Sequence, residues 1–200
     1  MHAVLTAALR PICATLLALP ALTAGAAEVE VEGFRFPTTA TVHGQTLVLN
    51  GAAASTMLGV QATAVGFYLP KKHTTMEGAV SEKGAKRIQF YMLRDVRARD
   101  LSNALLDRIR QNAAEEFTQN ILQTAQLGAV FGTREKVMKG DLVVVDYHPA
   151  TKSTEFSLNG QKIGDTIKGE AFFPMMMKVW IGPKVLGSTR DALLGGATAQ

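Results

Sequence analysis

Hydrophobic and polar positions alternate along much of the chain, and the segment QATAVGFYLP (residues 61–70) shows the pattern clearly. Thr63, Val65 and Phe67 point to one face of the predicted strand, while small residues dominate the other face. The small face predicts that a second layer approaches this strand closely. Thr63 is the only hydroxyl on the larger face. Similar patterns predict strands over residues 28–36, 46–49, 86–93, 141–149, 153–158 and 161–167.

Two Asn-Gly pairs are predicted to form turns. Asn159-Gly160 separates two extended runs and predicts a hairpin, because a type I′ turn needs positive φ at both central residues. Asn50-Gly51 is predicted as a turn that ends the strand over residues 46–49.

The hydrophobic period changes from two to about four after Arg94. Apolar residues then recur at every fourth position from residue 97 to about Ala125, which predicts an amphipathic helix, long or broken once. Asp95 is placed to cap its start. A short final helix is predicted from Ser188 to Leu194, with Ser188 as its cap.

The segment EAFFPMMMKVWIG (residues 170–182) predicts another helix, rich in methionine. Pro174 is tolerated only in the first helical turn, and Gly182-Pro183 ends the helix. The order of strands, a long helical block, strands and helices predicts an α+β fold: a large antiparallel sheet packed against a layer of helices.

The first 26 residues have the pattern of a secretory signal peptide. Arg10 precedes an apolar run from Pro11 to Leu22, and the segment closes on Ala24-Gly25-Ala26. The run is shorter than the roughly 20 residues that a membrane span needs. The sequence therefore predicts export to the periplasm or secretion, with a single domain over residues 27–200.

Removal of residues 1–26 changes the composition. Cys13 is the only cysteine, so the mature chain has no disulfide, no thiol nucleophile and no cysteine metal ligand. The mature chain keeps 20 Lys and Arg against 17 Asp and Glu, without a long basic block, so nucleic acid is not a predicted partner. His43, His73 and His148 lack metal-ligand spacing, and neither a metal nor a cofactor is predicted.

Several stretches resemble the chalcone isomerase-like family in its bacterial exported branch. They are GQTLVLNGAAAS followed by QATAVGFYLP, then KRIQFYMLRDV, and KVWIG near the end. The resemblance covers the whole mature chain and implies an open-faced β-sandwich with an apolar cleft between sheet and helices. Members of this family include enzymes that cyclise chalcones and proteins that bind fatty acids in the same cleft.

The resemblance also implies where a site would lie. Of the polar positions in the enzymes, only the threonine of the cleft strand is kept, as Thr63. The other positions are occupied by Ser55, Met92, Leu101, Arg108 and Val179, with Trp180 beside the last. The enzyme reaction needs a cation and hydrogen-bond donors, which most of these residues cannot supply.

Fatty-acid binders of the family hold the carboxylate with an arginine and a tyrosine. Arg94 or Arg108 with Tyr91 are candidates here, although neither pair matches that pattern residue by residue. No catalytic residue is assigned beyond the single match at Thr63. The predicted ligand-binding residues are Thr63, Tyr91, Met92, Arg94, Leu101, Arg108, Val179 and Trp180.

Three hypotheses follow for the function. The first is a non-catalytic protein that binds a small apolar ligand, such as a fatty acid, in the cleft between sheet and helices. The second is an isomerase (an intramolecular lyase) acting on a chalcone-like or other small molecule with relocated residues. The third is a scaffold whose cleft is filled by its own side chains and whose surface binds a protein partner.

Overall fold

The computed structural model describes residues 27–57 and 59–196, so the predicted signal peptide at residues 1–26 lies outside the described residues. Within the described part, the strands are β1 (Glu28–Val31), β2 (Phe34–Pro37), β3 (Thr39–Val42), β4 (Gln45–Met57), β5 (Val60–Leu69), β6 (Lys86–Met92), β7 (Val96–Arg97), β8 (Lys136–Val137), β9 (Leu142–His148), β10 (Ser153–Leu158) and β11 (Gln161–Lys168). The helices are α1 (Met76–Ser81), α2 (Ala98–Asn112), α3 (Ala114–Gln119), α4 (Ile121–Ala129), α5 (Phe172–Ile181) and α6 (Gly187–Leu193).

Seven strands form one antiparallel sheet in the order β11-β10-β9-β6-β5-β4-β3. The main apolar core lies on one face of this sheet, where side chains from β5, β6, β9 and β10 pack against α2 and α5. The α+β prediction is therefore confirmed, with the helix layer on one face. Asn159 and Gly160 have φ of 50° and 79° and close the predicted hairpin between β10 and β11.

The opposite face of the sheet is partly covered by a separate hairpin of β1 and β2. The prediction of one strand over residues 28–36 is wrong, because Glu32 and Gly33 have φ of 53° and 79° and reverse the chain. Phe36 on this hairpin is fully buried against Gly66 of β5, where an added Cβ would lie 2.6 Å from the Phe36 ring. This contact explains why position 66, on the small face of segment 61–70, is a glycine.

The prediction of a turn at Asn50-Gly51 is also wrong, because both residues lie inside the 13-residue strand β4, where the pairing with β5 is bulged. The Asn50 amide donates to the carbonyl oxygens of Leu193, at 2.7 Å, and His73, at 3.0 Å, and its oxygen accepts from the His73 N–H. Gly51 lets α6 approach, since an added Cβ would lie 2.1 Å from the Ala192 carbonyl oxygen. The pair therefore anchors the C-terminal helix to the sheet.

The helical block after Arg94 is broken twice, at Ala113 and Asn120, and so forms α2, α3 and α4. Asp95 does not cap α2; its carboxylate accepts from the Lys139 N–H at 2.9 Å. Helix α6 starts one residue before Ser188, which does not cap it. None of the helices in the described ranges combines the length and the hydropathy that a membrane span requires.

Candidate functional site

Three positions that the family resemblance assigns to the cleft form one cross-strand row of the sheet. Thr63 on β5 pairs with Ser55 on β4 and with Met92 on β6. Directly paired residues of an antiparallel sheet point to the same face, so the three side chains lie side by side. All three are at most 2% exposed.

The helix layer closes over this face of the sheet. Leu101 of α2 and Val179 of α5 belong to the same buried core as Met92, each at most 2% exposed. Trp180 is fully buried, with its ring 5.4 Å from Phe90 and 6.3 Å from Phe67, centroid to centroid. The structure thus brings together five of the eight predicted ligand-binding residues, namely Thr63, Met92, Leu101, Val179 and Trp180.

Three polar atoms in this interface have no hydrogen-bond partner among the described residues. They are the Thr63 Oγ1, the Trp180 Nε1 and the Thr154 Oγ1, and all three side chains are 0% exposed. Thr154 lies in a separate cross-strand row, with Tyr147 and Ile167. Native structures rarely leave buried donors unpaired, because each lost partner costs about 1–3 kcal/mol. The interface between sheet and helices therefore holds three free donors inside a mainly apolar layer.

Arg108 lies at the edge of the same interface. Its guanidinium donates to the carbonyl oxygen of Thr56, the residue next to Ser55. The side chain is half-buried, and desolvation lowers the pKa of Arg108. A cleft of about 330 Å³ opens beside Thr56, between α6, β4 and the β1–β2 hairpin.

The two remaining predicted residues lie elsewhere. Tyr91 is on the opposite face of the sheet, where it stacks on Phe34 at 4.5 Å between ring centroids. Arg94 is exposed and donates to the Gln61 carbonyl oxygen at 3.1 Å. The structure therefore does not support pairing Tyr91 with Arg108 in one cleft. The sequence already indicated this separation, because Tyr91 and Met92 are consecutive on a strand and must point to opposite faces.

A second cleft, of about 480 Å³, was not predicted from the sequence. It lies between α1, the start of β6, the end of β9 and the N-terminus of α5. Lys86 lines it and is only 3% exposed, with its Nζ 5.0 Å from the centroid of the Tyr147 ring. Burial lowers the pKa of Lys86 from its ordinary value to about 8, against a smaller opposing effect of Glu82.

This pKa predicts that the protein becomes more stable as the pH rises from about 8 to 9.5. In that range the unfolded chain keeps the Lys86 proton, whereas the folded protein releases it, so stability increases with pH. We expect a gain of about 1–2 kcal/mol, since residual solvent contact screens part of the effect. Urea unfolding at several pH values measures it.

Lys86→Met is the matched control, and its stability should stay flat over the same range. Buried Tyr68 has a raised pKa and acts in the opposite direction only at higher pH, which sets the upper limit of the experiment. A wild-type curve that is flat, or a variant that keeps the rise, contradicts the assignment to Lys86.

Comparison with known proteins places this arrangement in a family. The family model for chalcone isomerase-like proteins matches residues 27–195. A search of curated proteins found no match. The crystal structure of a fatty-acid binding protein of Arabidopsis thaliana is similar, with a TM-score of 0.64 over 84% of this chain and 96% of that chain. The two sequences are 15% identical, so this likeness shows the fold alone. Because the family model spans most of its length, the chain belongs to the chalcone isomerase-like family.

Proposed function

We propose that this protein is an exported, non-catalytic member of the family that binds an apolar ligand, such as a fatty acid, between its sheet and its helix layer. The observation that carries the proposal is the pair of unpartnered buried donors, Thr63 Oγ1 and Trp180 Nε1. A ligand with a polar group and an apolar body would satisfy the donors and keep the surrounding layer dry. Export to the periplasm or medium is proposed from the pattern of residues 1–26.

The composition of the interface supports a ligand that inserts by displacing side chains. Five of the eight methionines of the chain lie in this core, and methionine adapts to irregular shapes because its side chain is unbranched and flexible. Three of them are consecutive on α5. Rotation of these side chains can open space without moving the sheet.

Arg108 is the cation best placed for an acidic headgroup. It reaches β4 beside Ser55, the cross-strand neighbour of Thr63, and uses one N–H on the Thr56 carbonyl. A guanidinium carries five N–H donors, so donors remain for a carboxylate.

The absence of catalysis is proposed from the side chains around Thr63. Met92, Leu101 and Val179 present no charge and no strong donor to a ligand at that row. Loss of one preorganised donor commonly lowers an enzyme rate by about 10²–10³. We expect a chalcone-to-flavanone absorbance assay to give the same rate with the protein as in buffer alone.

Palmitate binding to delipidated protein tests the proposal. We expect micromolar binding by calorimetry, together with a change in fluorescence, because Trp180 is the only tryptophan and lies in the interface. Thr63→Val keeps the shape and removes the hydroxyl, and we expect it to weaken binding by about tenfold. Trp180→Phe should weaken binding similarly, measured by calorimetry.

Thr154→Val is the matched control, since the Thr154 hydroxyl is also buried and unpartnered but lies in the cross-strand row of Tyr147. Its affinity for palmitate should equal that of the wild type. Protein for these titrations is recovered from a periplasmic extract, where an intact mass beginning at Ala27 or Glu28 tests export. Failure of the wild type to bind palmitate would overturn the proposal.

A scaffold that binds a protein partner is the second candidate. It is favoured by the complete burial of Met92, Val179 and Trp180 against their own neighbours. Under this alternative the delipidated protein binds no acyl chain, and Thr63→Val leaves every ligand titration unchanged.

A further inference from the structure

Lys86 is an unusual residue at its position because it is buried without a counterion. It is 3% exposed, and none of the described residues forms an ion pair with it. Lysine is almost never fully buried unless it is paired. The Lys86 Nζ lies over the face of the Tyr147 ring, which attracts a cation more weakly than a carboxylate does.

The two carboxylates that line the cleft, Glu82 and Glu170, are engaged by other side chains. Glu82 contacts His73 at 2.5 Å and Lys71 at 3.6 Å, and Glu170 contacts Lys152 at 2.8 Å. The pKa of each carboxyl is lowered mainly by its own hydrogen-bond partner. Lys83, which also lines the cleft, adds a second positive charge. The ammonium of Lys86 therefore remains available to an anion that enters the cleft.

The N-terminus of α5 borders this cleft. The helix has ten residues, its N-cap Ala171 makes no side-chain cap, and Ala171 and Pro174 line the cleft. The Phe172 N–H donates to the Gly169 carbonyl oxygen at 3.4 Å and Pro174 has no N–H, so this end favours a bound anion mainly through the helix dipole. The buried ammonium and the uncapped helix end thus border the same space.

Apart from Ser81 and the charged groups already named, the lining is mainly apolar. Val80, Tyr147, Pro149 and Pro174 surround a volume of about 480 Å³, which is within the range of small-molecule sites. Such a lining suits a ligand that is anionic at one end and apolar at the other. Lys86 and Met92 are six positions apart on β6, about 20 Å along the strand, so this cleft is distinct from the Thr63 row.

From this geometry we infer that the cleft at Lys86 is a second ligand site, which binds a small organic acid by its carboxylate. The carboxylate meets the Lys86 ammonium and the N-terminus of α5, and the apolar body lies on Tyr147 and Pro149. The site does not depend on the fatty-acid function proposed for the sheet–helix interface.

Octanoate is the probe, titrated by calorimetry into the full-length protein. The wild type should bind it, and Lys86→Met should bind it at least about tenfold more weakly, because the charged partner is lost. Lys86→Arg, which keeps the charge, should stay within about threefold of wild type. Lys72→Met removes an exposed lysine outside the cleft and should leave the affinity unchanged.

The pH dependence of octanoate affinity distinguishes direct binding by Lys86 from a purely structural role of this residue. Octanoate affinity should fall as Lys86 loses its proton above about pH 8 in the wild type, but not in Lys86→Arg. The charged groups facing Lys86 are Glu82, Lys83 and Glu170, and beside them Tyr147 has a raised pKa. These groups are also present in Lys86→Arg, so their titration cannot explain a loss of octanoate affinity that occurs only in the wild type.

Three results would overturn the site: no octanoate binding by the wild type, undiminished binding by Lys86→Met, or equal weakening in Lys86→Met and Lys86→Arg. Octanol is the neutral control, and binding as tight as that of octanoate would also contradict a carboxylate site. If the protein does not bind palmitate but binds octanoate in a way that depends on Lys86, the proposed function is refuted and this site is supported.

Discussion

Gly51→Ala is expected to lower the free energy of unfolding by about 3 kcal/mol or more. Its Cβ would lie 2.1 Å from the Ala192 carbonyl oxygen and 2.8 Å from the Leu193 Cα. Both are backbone atoms, so no side-chain rotation relieves the overlap. Helix α6 would have to move away from β4, which breaks the bond from the Asn50 amide to Leu193.

The loss extends to a second contact between α6 and the sheet, because the Thr189 hydroxyl donates to the Ala54 carbonyl oxygen at 3.0 Å. Urea unfolding followed by Trp180 fluorescence measures the effect. Gly128→Ala is the matched control, since its Cβ would meet only the Leu106 side chain at 3.5 Å within α4. That variant should be more stable than wild type by about 0.5–1 kcal/mol. A Gly51→Ala protein as stable as wild type would show that α6 does not dock as described.

Trp180→Ala is expected to destabilise the protein by about 3–5 kcal/mol. The side chain is fully buried between the helix layer and the sheet, and its removal leaves a cavity beside Phe67 and Phe90. The surrounding strands are paired on both sides and cannot collapse into that space. Thermal unfolding followed by circular dichroism measures the loss, because the variant has no tryptophan.

Trp180→Phe keeps an aromatic ring but removes the indole N–H, so it tests the two contributions separately. Some ring contact is lost, but an unpartnered buried N–H is removed as well, and relief of its desolvation offsets much of that loss. We expect this variant to lie within about 1 kcal/mol of wild type. Destabilisation as large as in Trp180→Ala would mean that the indole N–H makes a stabilising bond within the protein and is not free for a ligand.

The parts of the fold that depend on local pattern were predictable from the sequence. Strand alternation located β5 and β6, and Asn159-Gly160 located the hairpin between β10 and β11, because both features depend only on neighbouring residues. Asn50-Gly51 carries the same dipeptide, yet it lies within a strand. There the asparagine amide bonds to His73 and Leu193, which are distant in sequence, and no local rule contains those partners.

One candidate site was predictable from the sequence, and the other was not. The family resemblance placed Thr63, Met92 and Leu101 in one interface, and the strand register brings the first two side by side. Lys86 could not be found from the sequence, because a lysine that begins a strand is ordinarily exposed. Its burial comes from α1, β9 and the start of α5, which only the tertiary structure brings together.

The sheet ends in two edges, β3 and β11, and both are poor templates for adding another strand. Strand β3 offers only four residues, and beyond it the Ala54 and Thr56 carbonyl oxygens of β4 already accept from Thr189 and Arg108. Strand β11 carries exposed charges at Lys162, Asp165 and Lys168, and its register with β10 is interrupted near Gly164, which has φ of 60°. Charges and bulges on an edge strand oppose edge-to-edge association. The seven-stranded sheet is therefore self-limiting, and the fold resists aggregation through its edges without a covering subunit.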